Sequence, residues 1–473
     1  MPLRSLCILS LLAMTSGVAL ADMGLAQVRH ALFLDSRAPV EADLRRLAER
    51  GDRASMHLLG NLIASDPRKT DEAIDLYQRA FAQGRGEIRA LTSLSRLLDR
   101  LPQRQAEHQA YVRTALMAIP LERDPYTLEA ALETFLVYPQ LFKNEQVERL
   151  LTLYQRSCIE LCGSELYRAV DAARRGDREE AVRWYELAIR NDPRAIERYY
   201  TFLGDRRDSL FHAFAQRLEA EREQLPEQIL HPLGELLETI AQAENEQATL
   251  PLQQLRIERD LNDEEIRQEQ VLAERYRVSR QYAQTWIEAA VARDYAPAMI
   301  SRINYMLSWA TEYSDAQVLE LIARLEPLEP FRAKAAQAQV KLVNNWSSLD
   351  PHGAHQLIQE LIASGYDDGE ILLAGLYSKG SLDQPDQARA LQILQRLADQ
   401  GSLTAHYRIA QLYSEGRGIC REPAKAYAHA YFAKQAGERR AESLLRRLER
   451  LSTPAQREEG LRISQQLTAR TLP

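Results

Sequence analysis

A twelve-residue stretch of this chain recurs after an interval of 36 residues. Gly369-Glu370-Ile371-Leu372-Leu373-Ala374-Gly375-Leu376-Tyr377-Ser378-Lys379-Gly380 lines up with Ala405-His406-Tyr407-Arg408-Ile409-Ala410-Gln411-Leu412-Tyr413-Ser414-Glu415-Gly416. The phase continues from Ala388 to Ala424 and from Gly401 to Gly437. A fixed period of this length marks a supersecondary unit that cannot bury its apolar face alone and must stack on its neighbours. The resulting body is a solenoid, whose working parts are extended surfaces rather than one deep pocket. The expected class is all-α, a right-handed superhelical solenoid of antiparallel helix pairs.

The sequence of one unit shows how its turns are made. Leu403, Tyr407, Ala410 and Tyr413 keep helical spacing and predict one apolar stripe. Gly416 and Gly418 end that helix, because Gly enters the left-handed region without a Cβ penalty. Glu422-Pro423 opens the next, with Pro in the first turn where its missing N–H costs nothing. Ala426, Ala430 and Ala433 then lead to Gly437, with Ala390, Leu394, Leu397 and Gly401 at the same offsets one unit earlier. Small residues there predict close approach of two helices, with Glu438 on an exposed face.

Degenerate copies lie upstream. Ala73, Tyr77, Ala80 and Gly84 keep the same steps, and Ala181, Tyr185, Ala188 and Pro193 follow Gly176-Asp177, which supplies a turn and an N-cap. Ala283, Ile287 and Ala290 suggest another copy. The predicted organisation is a signal segment over 1–21, repeats over 22–218, an irregular helical segment over 219–277 and further repeats with a capping helix over 278–473. The segment 219–277 is rich in Glu and Gln, contains Pro226, Pro232 and Pro251, and has no period. It reads either as longer helices joined at the prolines or as a mobile joint between two halves.

Residues 1–21 have the form of a secretory signal: Arg4, a short apolar run from Leu6 to Ala13, and Ala19-Leu20-Ala21 before Asp22. The apolar run is too short to span a bilayer. Removing the segment takes the formal charge from −7 to −8, an acidic balance that argues against nucleic-acid binding. Of four cysteines, Cys158, Cys162 and Cys420 remain after cleavage. An exported protein permits a bridge between Cys158 and Cys162 if they lie in a turn; two separate thiols are the alternative.

Signals of chemistry are sparse. The chain has no G-x-x-x-x-G-K-[ST], G-x-S-x-G or H-E-x-x-H pattern. His352 and His355 follow Asp350-Pro351 and read as residues of a helix start, and Asp367-Asp368 as a solvated turn. Arg439, Arg440, Arg446, Arg447 and Arg450 share one helix face, with Glu438, Glu442 and Glu449 interleaved to offset their charge. No catalytic residue, cofactor or metal ligand is expected.

The block Ala405–Gly437, with Tyr413-Ser414-Glu415-Gly416-Arg417-Gly418 and Ala426-Tyr427-Ala428, resembles the Sel1-like branch of the tetratricopeptide-repeat superfamily. A narrower resemblance is to the AlgK family of periplasmic alginate-export scaffolds. It is carried by Phe135-Leu136-Val137-Tyr138-Pro139-Gln140, by the cysteine-bearing segment before Gly176, and by Gly416-Arg417-Gly418-Ile419 with its long helical tail. That family's members resemble lipoproteins, whereas Asp22 follows the cleavage site here, so no lipid anchor is expected. The resemblance implies a periplasmic scaffold whose partners are an outer-membrane polysaccharide porin and periplasmic polymer-modifying proteins. The alternative is a general secreted Sel1-like adaptor that regulates an envelope enzyme or receptor.

Overall fold

The structure is a computed structural model that describes residues 23–34, 38–82, 87–119, 125–157, 163–366, 368–379, 386–416, 419–438 and 440–471. Among these there are twenty-four α-helices and no strands. The chain opens with α1 (Leu25–Leu34) and α2 (Glu41–Glu49). Pairs follow: α3 (Arg53–Ile63) with α4 (Thr70–Phe81), α5 (Ile88–Asp99) with α6 (Pro102–Met117), and α7 (Pro125–Val137) with α8 (Asn144–Ser157). Next come α9 (Glu165–Arg175) with α10 (Arg178–Ala188), and α11 (Arg194–Phe202) with α12 (Arg207–Leu218). The middle holds α13 (Glu227–Glu258) and α14 (Asp263–Val291). Beyond them lie α15 (Ala296–Ser308) with α16 (Asp315–Leu325), and α17 (Pro330–Val340) with α18 (Pro351–Ala363). The last helices are α19 (Gly369–Lys379), α20 (Gln387–Asp399), α21 (Leu403–Glu415), α22 (Pro423–Gln435), α23 (Arg440–Leu451) and α24 (Pro454–Thr471).

The contacts define a solenoid. Second helices pack on the first helix of the next pair, as in α4–α5, α16–α17, α18–α19 and α20–α21. First helices of successive pairs also touch directly, along α3–α5–α7–α9 and in α11–α13, α15–α17 and α21–α23. They therefore form the inner, more tightly curved layer. The final helix departs from this rule: α24 folds back onto α22, where Gly460 is so close that a Cβ would lie 2.9 Å from the Ala424 carbonyl.

The punctuation follows the sequence. Gly416 ends α21 at φ 65° and Gly176 ends α9 at φ 80°, both left-handed. Asp177 caps α10 by accepting a bond from the Glu180 N–H at 3.0 Å, and Pro423 occupies the first turn of α22. Gly418 lies outside the described residues.

The middle segment differs from expectation. Pro232 and Pro251 do not divide it; both stand inside the 32-residue α13, which pairs lengthwise with the 29-residue α14. Each proline removes an intrahelical bond, but tertiary burial holds the helix. Leu230, Leu233, Leu237 and Ile240 are buried against Ala283, Trp286 and Ile287 in one cluster that runs from Leu128 to Trp346. Gly234 allows the approach, since a Cβ there would meet Ile287 Cγ1 at 2.5 Å. A core continuous through this hairpin removes the basis for a joint there. Only the distal half differs: from Glu264 to Ser279 no residue of α14 is buried, and Val271 and Val278 are exposed.

The coil also returns on itself. A Cβ on Gly401 would meet Arg68 Cγ at 2.5 Å, and one on Gly437 would meet Leu101 Cδ2 at 4.0 Å. Turns of the C-terminal units thus lie against turns of the N-terminal units.

Candidate interaction surface

Within a pair, one position of the first helix faces one of the second, and their sizes trade off. Gly60 sits against Tyr77, with a hypothetical Cβ only 2.6 Å from the ring. At the matching positions of the last complete unit stand Ala410 and Ala430, both fully buried in one cluster. Replacing Ala430 by Leu is therefore expected to overpack the contact and cost about 1–3 kcal/mol. Thermal melts of the variant and of Glu442→Leu, changed at an exposed site of α23, check this. Equal melting temperatures would contradict the register. Glu438, expected on an exposed face, is unsuitable as that control. It is only 11% exposed and bonds the Arg440 N–H and guanidinium at 3.2, 2.9 and 2.8 Å.

The other repeat positions divide by depth. Ala374 and Tyr413 are buried and Tyr377 is half-buried. Gly401 and Gly437 take φ of 86° and 101°. Ala388 is exposed and Ala424 only partly covered, because both lie in the first turn of a second helix, before its packed face begins. The predicted stripe on α21 is displaced by one or two positions. Ala405, His406, Ile409, Ala410 and Tyr413 are the buried set, while Leu403 and Tyr407 are half-buried. A helix packed between a partner and a following unit buries a wider face than a single stripe. Gly380, Cys158 and Cys162 lie outside the described residues, so the proposed bridge does too; Cys420 is an exposed free thiol.

The inner layer of the N-terminal half is tied by a charge network that no local pattern announced. Glu133 on α7 is 4% exposed and accepts from Arg194 Nη1 at 2.9 and 2.8 Å, from Arg96 Nη2 at 3.3 Å and from the Tyr167 hydroxyl at 3.3 Å. Four first helices, α5, α7, α9 and α11, are bound through this one carboxylate. Burial raises the Tyr167 hydroxyl far above its usual range, and the Glu133 charge adds to that. Burial alone would lower the Arg194 guanidinium, but the hydrogen bond to Asp192 and the charge of Glu133 outweigh it, and the net shift is upward. Arg198 adds a bond to the Leu136 carbonyl at 3.1 Å and a pair with Asp99. The charges here satisfy one another, so the N-terminal inner face is polar but neutralised.

The AlgK-like hexapeptide is a packing element. Phe135 is fully buried, Tyr138 is 2% exposed, and its hydroxyl donates to the Gln105 carbonyl at 2.7 Å. At the base of the hairpin, Glu238 accepts from Gln284 Nε2 at 2.9 Å, and burial lifts its pKa to about 7. The recess beside it, between α13 and α14, holds about 50 Å³, room for a water or two. His352 and His355 stand in the first turns of α18, where Asp350 caps the Gly353 N–H at 2.9 Å. Asp367 lies outside the described residues. Among the described residues no group of three His, Cys, Asp or Glu is placed to hold a metal ion.

In the last units, His406 and His429 meet Nδ1 to Nδ1 at 2.9 Å, with the His406 ring 4.4 Å from that of Phe432. Burial lowers their pKa values to about 4 and about 3, so both rings are neutral at pH 7. On α23, Arg440 turns toward α21: it bonds Glu438 and the Thr404 hydroxyl (3.0 Å) and lies 5.3 Å from the Tyr407 ring centre. It is therefore not part of a free basic stripe with Arg447 and Arg450, which stay exposed; Arg439 lies outside the described residues.

The Sel1 repeat family matches residues 44–84, 157–193, 367–402 and 403–438. The chain carries four Sel1 repeats. The matched segments contain the two clear copies and two of the three upstream ones; the copy suggested by Ala283, Ile287 and Ala290 lies outside them, on the long helix α14. The chain is also similar in part to the alginate biosynthesis protein AlgK of Azotobacter vinelandii, 36% identical over 88 residues. That match spans 19% of this chain and 19% of that protein. Among solved structures, a protective antigen of uropathogenic Escherichia coli with an SLR fold covers 92% of this chain and 95% of its own at 14% identity and a TM-score of 0.26. A Sel1 repeat protein from Oxalobacter formigenes covers 88% and 92% at 18% identity and a TM-score of 0.25. Scores this low support no common shape for the whole Sel1 stack.

Proposed function

We propose that the chain is a non-catalytic periplasmic scaffold of an exopolysaccharide secretion complex of the alginate type. It links an outer-membrane porin to periplasmic proteins that modify the polymer. The AlgK match over 88 residues carries this reading, set on a chain whose Sel1 repeats are protein-interaction modules. The stack contributes long polar inner faces, and the recess in its hairpin is too small for a sugar substrate. Among the described residues no helix is long and apolar enough to cross a membrane, which agrees with a role reached through partners.

A general exported adaptor is the second reading, favoured by four Sel1 repeats that themselves name no pathway. Secretion of exopolysaccharide by a deletion strain separates the two. Loss of secretion, restored by the full-length chain, supports the first; normal secretion and normal porin levels support the second. The exported protein is further expected to begin at Asp22 without a lipid, because Ala19-Leu20-Ala21 precedes it and the residue after that site is Asp22 rather than cysteine. Intact-mass measurement checks this, and a diacylglycerol adduct would contradict it.

A further inference from the structure

A solenoid ribbon has two edges, one made of the turns within pairs and the other of the turns between them, and here one edge meets the other. Gly401 and Gly437 stand one repeat apart, on the turns that follow α20 and α22. Arg68 and Leu101, one unit apart, stand on the turns inside the pairs α3–α4 and α5–α6. Across this seam the Arg68 stem lies against Gly401, with a hypothetical Cβ 2.5 Å from Cγ and 3.0 Å from Cδ. Leu101 Cδ2 stands 4.0 Å from the same point on Gly437. The Arg68 guanidinium is drawn aside by Asp66, which accepts from Nε at 2.9 Å and from Nη2 at 2.8 Å, so methylenes rather than charge face the glycine. Gly365, one repeat before Gly401, has nothing within 4 Å of its Cβ position, and neither has Gly51. Among these turn glycines the overlap begins at Gly401.

The seam is narrow. Among the described residues no buried apolar cluster holds both edges: one runs from Val28 to Tyr138, and another from Ile371 to Leu448. The core also thins where the C-terminal units leave the rest of the coil. Between the cluster that ends at Trp346 and the one that starts at Ile371 stands a cluster of five buried residues, Ala338, Leu342, Ala354, Ile358 and Leu376. Bodies joined through a small interface move relative to each other, whereas a large apolar interface fixes them. Gly401 and Gly437 suit a contact that parts readily, because without side chains they let the edges touch and leave nothing interlocked.

We propose that α19 to α24 form an arm that latches and releases. The coil exchanges between a closed form, with Gly401 on Arg68 and Gly437 on Leu101, and an open form in which the arm swings away about α18. Each Sel1 unit stays folded in both forms, because neighbouring units hold one another and the seam belongs to neither core. Closure stacks the C-terminal units on the N-terminal ones. A partner that bridges the two coils therefore selects the closed form, and one that enters between their edges selects the open form, each by its difference in affinity for the two. The latch acts whatever the partners are.

The test is the distance distribution between paired spin labels on the full-length exported chain. The labels sit at Gln103→Cys and Gln435→Cys, both exposed and each two residues from the contact of Leu101 with Gly437, in a Cys158→Ser/Cys162→Ser/Cys420→Ser background. Rapid freezing traps both forms. Two components are expected, a short one from the closed coil and a long one from the open coil. In Arg68→Ala/Leu101→Ala the short component falls by at least half. In Arg332→Ala, at an exposed site of α17, it is unchanged. Circular dichroism confirms the fold of each chain, and Arg68→Ala alone replaces the double variant if the loss of Leu101, which packs on the N-terminal core, unfolds its pair. A single component in the otherwise wild-type chain, short or long, would overturn the proposal. So would an equal short fraction with and without the seam substitutions, or an equal loss in Arg332→Ala.

Discussion

Trp286→Ala is expected to destabilise the chain by about 3–5 kcal/mol, the cost of truncating a fully buried aromatic whose site cannot collapse. Trp286 has no exposed surface and stands on α14 where the hairpin enters the common core. Its ring packs edge-on to Tyr282 at 6.5 Å, and the Arg222 guanidinium lies 5.9 Å from it. The same cluster reaches Leu128 on one side and Trp346 on the other, so the loss falls on the junction between N- and C-terminal repeats. In a repeat protein stability is a sum of units and interfaces. Urea unfolding followed by helical circular dichroism should therefore change from a broad single transition to two separated ones. Val271→Ala, at an exposed site on the distal hairpin, should stay within about 0.5 kcal/mol of wild type. Equal midpoints for Trp286→Ala and Val271→Ala would contradict the continuous core.

Mild acid should unfold the last Sel1 units first. His406 is 1% exposed, and burial lowers its pKa to about 4 and that of His429 to about 3. In the unfolded chain both titrate near 6.5. Above that pH neither state binds a proton, and the pair adds no pH dependence. Between about 6.5 and 4 the unfolded chain takes up protons that the folded one excludes, so stability falls as pH falls. By pH 5 the loss is roughly 2 kcal/mol for each ring. Most carboxylates are still ionised there, and Glu238, whose raised pKa acts in the opposite sense, lies away on α13, so between pH 7 and pH 5 the pair governs the local response of α21 and α22. The measurement is amide exchange of α21 and α22 at the two pH values, in wild type and in His406→Leu/His429→Leu. The expected result is faster opening of these helices at pH 5 in wild type and a much smaller change in the double variant. An equal change in both would show that other groups carry the acid response.

How far the sequence reveals this molecule depends on how local each signal is. The period of 36 residues places α19 to α22, because each unit repeats the same Ala, Tyr and Gly positions. Caps such as Asp177 and C-terminal glycines such as Gly416 are equally local and lie where their chemistry demands. The long hairpin is hidden, because Pro232 and Pro251 are strong local signals against a continuous helix and only tertiary burial overrides them. Gly60 conceals its own repeat in the same way, since its smallness is explained only by Tyr77 in the partner helix. The long-range ties are the least legible. Glu133 and Arg194 are 61 residues apart, and Arg68 and Gly401 belong to opposite ends of the chain, so no motif connects them. The arginines of α23 show both cases: the interleaved Glu438 pairs with Arg440 as its spacing suggests, but the turn of Arg440 toward Tyr407 on α21 is a tertiary contact with no local signal.

The scaffold claim is tested most directly by recovering the tagged, full-length chain from detergent-solubilised outer membrane of cells that make the exopolysaccharide, and identifying what comes with it. The expected result is stoichiometric recovery of an outer-membrane porin and at least one periplasmic polymer-modifying protein. Both should be lost when residues 369–473 are removed, while the N-terminal stack remains folded. Recovery of the chain alone, with polymer secretion unchanged in its absence, would contradict the account.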